Sequence, residues 1–241
     1  MNAELPAIAF DRFIRLDWIA EALKVRSGQI SLEQLEAFLD SAGLGQEARK
    51  KTRTKLKILC LEPRSELKEF MDRGTKIALT VTSPNAILPF AWGAIITNYP
   101  FFSRVAELVG RLSSIQGDCA AAEVHRRMSE IHGERHNVKV ATRAAIQTLI
   151  DWSVVLRQDD ENRLTPAKPL TLSDHGYILW LIEAMVRQAG KPMPLENINS
   201  SPLGFPFYFD APISYLVSGC DHLELRLEGA SKQFVALRVR S

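Results

Sequence analysis

His132-Gly-Glu-Arg-His136 has the residue types for metal chemistry, because two histidines four apart on one helix can present both imidazoles to a zinc ion. Gly133 lies between them at an expected turn, no cysteine is close in sequence, and Glu134 is the nearest carboxylate, so no metal is expected. Asp210 and Glu224-Leu-Arg226 fall in expected strands, where carboxylates can hold Mg²⁺ if a lysine assists. Arginine stands where that lysine would, and Glu224 and Arg226 also read as the outward face of an alternating strand. The three cysteines, Cys60, Cys119 and Cys220, are odd in number, far apart and set in apolar sequence, which fits reduced buried thiols. Cys119 and Ser153 lack a His/Asp motif or a nucleophile elbow, and Gly110-Arg-Leu112 lacks the spacing and Lys-Ser/Thr ending of a phosphate loop. Neither catalysis nor a cofactor is expected. Phe205, Phe207, Tyr208 and Phe209 have the faces to stack on bases, but packing of a small sheet accounts for them better.

Charge gives a second kind of candidate. Formal net charge is only +2, so any attraction for nucleic acid must come from local clustering. Arg49, Lys50, Lys51, Arg53, Lys55 and Lys57 put six cations in nine residues, with Glu47 the only carboxylate close in sequence. On one helix several of them can reach neighbouring phosphates together, releasing counterions. The same six also fit a solvated face whose long stems cover apolar surface.

The elements that must position these residues are mainly helical. Phe13, Ile14, Trp18, Ile19 and Leu23 recur at helical spacing, and Ser31-Leu-Glu-Gln34 is a capping box ahead of Leu35 and Leu39. A helix over residues 46–61 carries the basic set, and Pro63 opens a short one to about Asp72. Lys76 to Val81 reads as a short strand. Ser173 is expected to cap an apolar helix to about Ala189. Alternation of Phe205, Phe207 and Phe209, then of Leu223, Leu225 and Leu227 with Phe234, Ala236 and Leu237, predicts a small β tail ending in a hairpin.

Between them lie three helices and a hairpin. Val105, Leu108, Val109 and Leu112 mark the first helix, and Ala121, Val124 and Met128 the second, which stops at Gly133. Asn137 is placed to cap a third, residues 138–152. That helix turns Ala141, Ala145, Leu149 and Trp152 one way and Lys139, Thr142, Arg143 and Gln147 another. Ser153 to Pro166 then supplies two short strands around a polar tip, with Arg157 and Arg163 nearby. Residues 102–166 thus resemble the winged helix-turn-helix superfamily. The resemblance implies a recognition helix whose Arg and Lys donate to guanine, whose Gln pairs with adenine and whose Thr meets a thymine methyl, beside a wing that grips phosphate. Eight Lys/Arg face seven Asp/Glu between Cys119 and Lys168, and Asp159, Asp160 and Glu161 occupy the wing tip, which argues against close approach of phosphate there.

The expected architecture is α+β and predominantly helical: a helical module over 1–75, a winged helix-turn-helix with its lead-in over 76–168, and a helix with a small β element over 169–241. The expected function is binding of double-stranded DNA by an accessory or regulatory subunit, with the basic helix adding phosphate contacts. The competing expectation is a protein-interaction subunit of a larger bacterial complex, such as phage defence or chromosome maintenance, with the apolar helix 173–189 and the β tail as the surface for a partner or a second copy. The longest apolar run, Tyr177 to Val186, contains Glu183 and is shorter than the about 20 residues of a membrane span. With no secretory signal read at Met1 to Phe10, a cytoplasmic location is expected.

Overall fold

A computed structural model of the chain describes residues 8–81, 86–158, 162–229 and 232–239. Helix accounts for 61% and strand for 13% of the described residues, so the fold is α+β and predominantly helical. The first helices are α1 (Leu16–Arg26), α2 (Leu32–Ser41) and α3 (Gln46–Leu56), and α3 runs on through one π-turn at Lys57–Leu61. At the start of α2 the Ser31 hydroxyl accepts from the Gln34 backbone N–H at 3.3 Å, while the Gln34 side-chain Oε1 accepts from the Ser31 backbone N–H at 2.7 Å, the reciprocal cap expected there.

Next comes α4 (Lys68–Thr80), which corrects the strand expected at Lys76 to Val81 and runs across the boundary expected at residue 75. Its buried positions, Phe70, Met71, Gly74, Thr75 and Ala78, follow a helical period, so the apolar residues after Lys76 continue a stripe that begins earlier. The helix α5 (Ile87–Asn98) is apolar all round and buried along nearly its whole length.

From there the chain forms α6 (Pro100–Gln116), β1 (Cys119–Ala120), α7 (Ala121–His132), α8 (His136–Asp151), β2 (Val155–Gln158) and β3 (Arg163–Pro166). The strands make an antiparallel sheet in the order β1-β3-β2, with Cys119 opposite Leu164 and Leu156 opposite Thr165. The two-residue β1 is too short to show alternation in the sequence.

The rest comprises β4 (Leu170–Leu172), α9 (His175–Ala189), β5 (Met193–Pro194), β6 (Phe207–Phe209), α10 (Ile213–Ser218), β7 (Leu223–Glu228) and β8 (Lys232–Leu237). β7 and β8 are the expected hairpin, with Leu225 opposite Val235, and β5 pairs with the other edge of β8. β4 and β6 pair in parallel. The cap of α9 is Asp174, whose carboxylate accepts the Tyr177 amide at 2.8 Å, and not Ser173.

Packing around α9 explains two glycines. Trp180 stacks on Phe70 at 4.6 Å and on Phe90 at 5.8 Å between ring centroids, and its indole N–H donates to the Phe70 carbonyl at 2.8 Å. A Cβ on Gly74 of α4 would lie 2.3 Å from that indole, and one on Gly93 of α5 would lie 2.2 Å from it. The indole therefore fills a slot that only glycine leaves open on both helices. Beside it the buried Glu183 accepts from Arg73 at 2.6 Å and from Arg187 at 2.7 Å, so its charge is paired. With every residue from Tyr177 to Val186 except Leu179 buried, α9 is core and leaves no apolar face for the partner surface expected of it.

Buried residues from all three expected segments form one apolar cluster. Phe10 packs on Tyr99 and Phe102. The Trp152 indole donates to the Ile14 carbonyl at 2.9 Å, and the Ile14 amide donates to Thr148 at 3.1 Å. The Trp92 indole donates to the Leu203 carbonyl at 3.1 Å. Among the described residues no helix is long and apolar enough to cross a membrane.

Candidate nucleic-acid interface

Three residues, 133–135, join α7 to α8. Gly133 has φ 84° and ψ 157°, a conformation closed to side-chain-bearing residues, and this lets the chain reverse so sharply. The Arg135 guanidinium then donates to the His132 carbonyl at 2.8 Å, satisfying an orphan acceptor at the end of α7. The cap expected at Asn137 is not formed. Extended backbone at Arg135 starts α8 two residues earlier, at His136, so Asn137 lies inside the first turn.

On α8 the buried side holds Val138, Ala141, Ala145 and Leu149, and the exposed side holds Lys139, Arg143 and Gln147. Thr142 was expected on the polar ridge; it is fully buried and donates to the Val138 carbonyl at 2.8 Å. Its position seven residues before Leu149 puts it on the packed side, which its polar side chain concealed. Lys139 and Arg143 sit one turn apart and have no ion-pair partner among the described residues. The nearby arginines differ. Arg126 and Arg127 both bond Glu123, whose carboxyl they hold down at about 2. Arg163, the first residue of β3 and opposite Gln158 at the turn end of the β2–β3 hairpin, donates to Asp118 at 2.6 Å and draws that carboxyl below its usual range. Arg157 on β2 is exposed, and the wing-tip carboxylates expected at Asp159, Asp160 and Glu161 lie outside the described residues.

A cleft of about 870 Å³ opens between the outer faces of α7 and α8, lined by His125, Arg126, Glu130, Lys139 and Arg143 among others. His125 titrates below its ordinary value, first because burial disfavours its cationic form and then because Arg143 and Lys139 repel it. Sequence reading missed His125. A lone histidine on the polar side of an amphipathic helix carries no signal until a second helix places two cations against it.

The basic helix has a different environment from the one expected. Arg49 pairs with Asp40, Lys51 with Asp11 at 3.0 Å, Arg53 with Glu36 at 2.7 Å and Lys57 with Glu62 at 3.0 Å. Lys55 is buried, reaching Asp11 at 3.1 Å and the Ala9 carbonyl at 2.7 Å, so it cannot touch a phosphate. Only Lys50 of the six is without an ion pair among the described residues. The matching carboxylates come from α2, from the N-terminal segment and from just past the helix, which the local count around Glu47 did not include.

His132 ends α7, buried against the Phe101 ring at 4.9 Å, while His136 opens α8 in solvent, and among the described residues no group of three or more His, Cys, Asp or Glu is placed to hold a metal. Burial pushes the Cys60 thiol up to about 12 and also raises Cys119, so neither is a ready nucleophile. Glu224 and Arg226 pair with each other at 2.7 Å along β7. Phe205 and Phe207 pack edge-on to Trp92 at 5.6 and 6.0 Å, leaving Tyr208 as the exposed ring of that cluster. No family model, curated protein or solved structure matches the chain.

Proposed function

We propose that residues 100–166 are a winged helix-turn-helix and that the chain binds double-stranded DNA with α8 in the major groove. The order helix, strand, helix, helix, strand, strand, closed by the sheet β1-β3-β2, supports the module. The observation that carries the DNA reading is the pair Lys139 and Arg143, exposed one turn apart on α8 and without an ion pair among the described residues, while Arg126, Arg127 and Arg163 are each paired with a carboxylate. Arg143 and Lys139 supply donors for guanine or phosphate, Gln147 a donor and acceptor for adenine, and Arg157 on the hairpin a further phosphate contact. The basic helix α3 is not part of this surface. Its charges tie α2 and the N-terminal segment together.

Fluorescence polarisation of the full chain with a random-sequence duplex at low salt tests the reading. Binding weakened about tenfold or more by Lys139→Ala with Arg143→Ala is the expected result. Absence of binding overturns it. The second reading, an assembly subunit that docks a protein on the same module, draws support from exposed Val140 on α8 and Leu156 on β2, apolar groups that phosphate does not need. A chain that ignores DNA while a Val140→Asp, Leu156→Asp variant loses its assembly state would favour it.

A further inference from the structure

We infer that the cleft between α7 and α8 is a binding site for one phosphate group, held by Lys139 and Arg143 from α8 and by His125 from α7. Resting on the DNA reading for its source, the phosphate is that of a nucleic-acid backbone.

Within the cleft the charged groups sort simply. On α7, Arg126 and Glu130 pair with each other. The turn contributes Glu134, α8 contributes His136, Lys139 and Arg143, and the hairpin contributes the neutral amide of Asn162. Among the described residues, with the Arg126–Glu130 pair cancelled, Lys139 and Arg143 face Glu134 alone, which leaves positive charge unmatched in a concave site where water screens it less than on a flat surface. His125 makes no hydrogen bond or ion pair among the described residues, and it lines the same cleft as both cations, whose charges act on it. An anion entering there would offset the repulsion that adds to burial in disfavouring the cationic form of His125. A phosphate oxygen would then accept a proton-bearing imidazole nitrogen as a third charged donor. The volume exceeds that of a bare phosphate and leaves room for the adjoining sugar, with Val140 as an apolar wall.

Binding must therefore take up a proton. Wild-type affinity for random duplex is expected to rise about fivefold from pH 8 to pH 6, within the limit of about tenfold per pH unit for one proton. In His125→Gln that gain is expected to vanish. An equal gain in both proteins, or no gain in either, overturns the inference and leaves the DNA reading standing wherever binding still depends on Lys139 and Arg143. A second measurement covers a chain that binds no DNA. Inorganic phosphate should raise the His125 pKa by NMR beyond the effect of chloride at equal ionic strength, and should not do so in the Lys139→Ala, Arg143→Ala protein. That shift without DNA binding would assign the site to phosphate from another source. No shift would overturn it.

Discussion

Thr142 and Arg143 are adjacent in the chain and opposite in environment. The threonine is sealed in the core and spends its hydroxyl on the Val138 carbonyl, while the arginine reaches into the cleft. Thr142→Ala is expected to lower stability by about 1–2 kcal/mol through a small cavity and a lost hydrogen bond, and to leave DNA affinity within twofold. Chemical denaturation and polarisation on the same protein check both halves, and a loss of affinity without a loss of stability would return Thr142 to the recognition surface. Residue types alone made Lys139, Arg143 and Gln147 legible, since long polar side chains rarely face a core. The same rule failed for Thr142 and Lys55. A buried threonine can be satisfied by its own helix, and a buried lysine by a carboxylate and a carbonyl about 45 positions away, and neither partner shows in a local window.

Elements were legible where one face was strongly periodic. The capping box at Ser31, the amphipathic α7 and α8 and the β7–β8 hairpin lie near their expected positions because local sequence dictates them. The end of α4 was misread because six residues, 76–81, are too few to separate a helical from an alternating pattern. What holds α4, α5 and α9 together is long-range: the Trp180 indole seated over two glycines. Gly93→Ala and Gly74→Ala are each expected to lower stability by about 3 kcal/mol, as the new methyl forces the ring out of its stack between Phe70 and Phe90. Thermal melts with Trp fluorescence check this. An unshifted midpoint would mean that the ring has room to move.

At the scale of the molecule, the three expected segments share one core. Ile14 is bonded to both Thr148 and Trp152 of the central module, and Asp11 sits between Lys51 and Lys55 of α3. A fragment covering residues 99–168 is expected to melt far below the full chain, because the N-terminal segment no longer covers Trp152 and Phe102; a fragment as stable as the whole would restore the central module as an independent unit. Burial by itself would raise the Asp11 pKa, but hydrogen bonds and charges from Lys51 and Lys55 together outweigh it and hold the carboxyl below 3.8. The stabilisation from a depressed carboxyl is complete above its unfolded pKa and lost as pH falls through the folded value. Asp11→Asn is therefore expected to be less stable than wild type at neutral pH, with the difference closing below about pH 4, and denaturation across pH checks the sign.

If DNA meets α8 and not α3, the salt dependence of binding separates the two helices. Each phosphate contact adds about 0.9 to the slope of log affinity against log salt. Polarisation titrations of wild type, Lys139→Ala with Arg143→Ala, and Lys51→Ala with Arg53→Ala should show the slope falling by about 1–2 in the α8 variant and unchanged in the α3 variant. A slope that falls in the α3 variant while the α8 variant binds as wild type would place DNA on α3 instead.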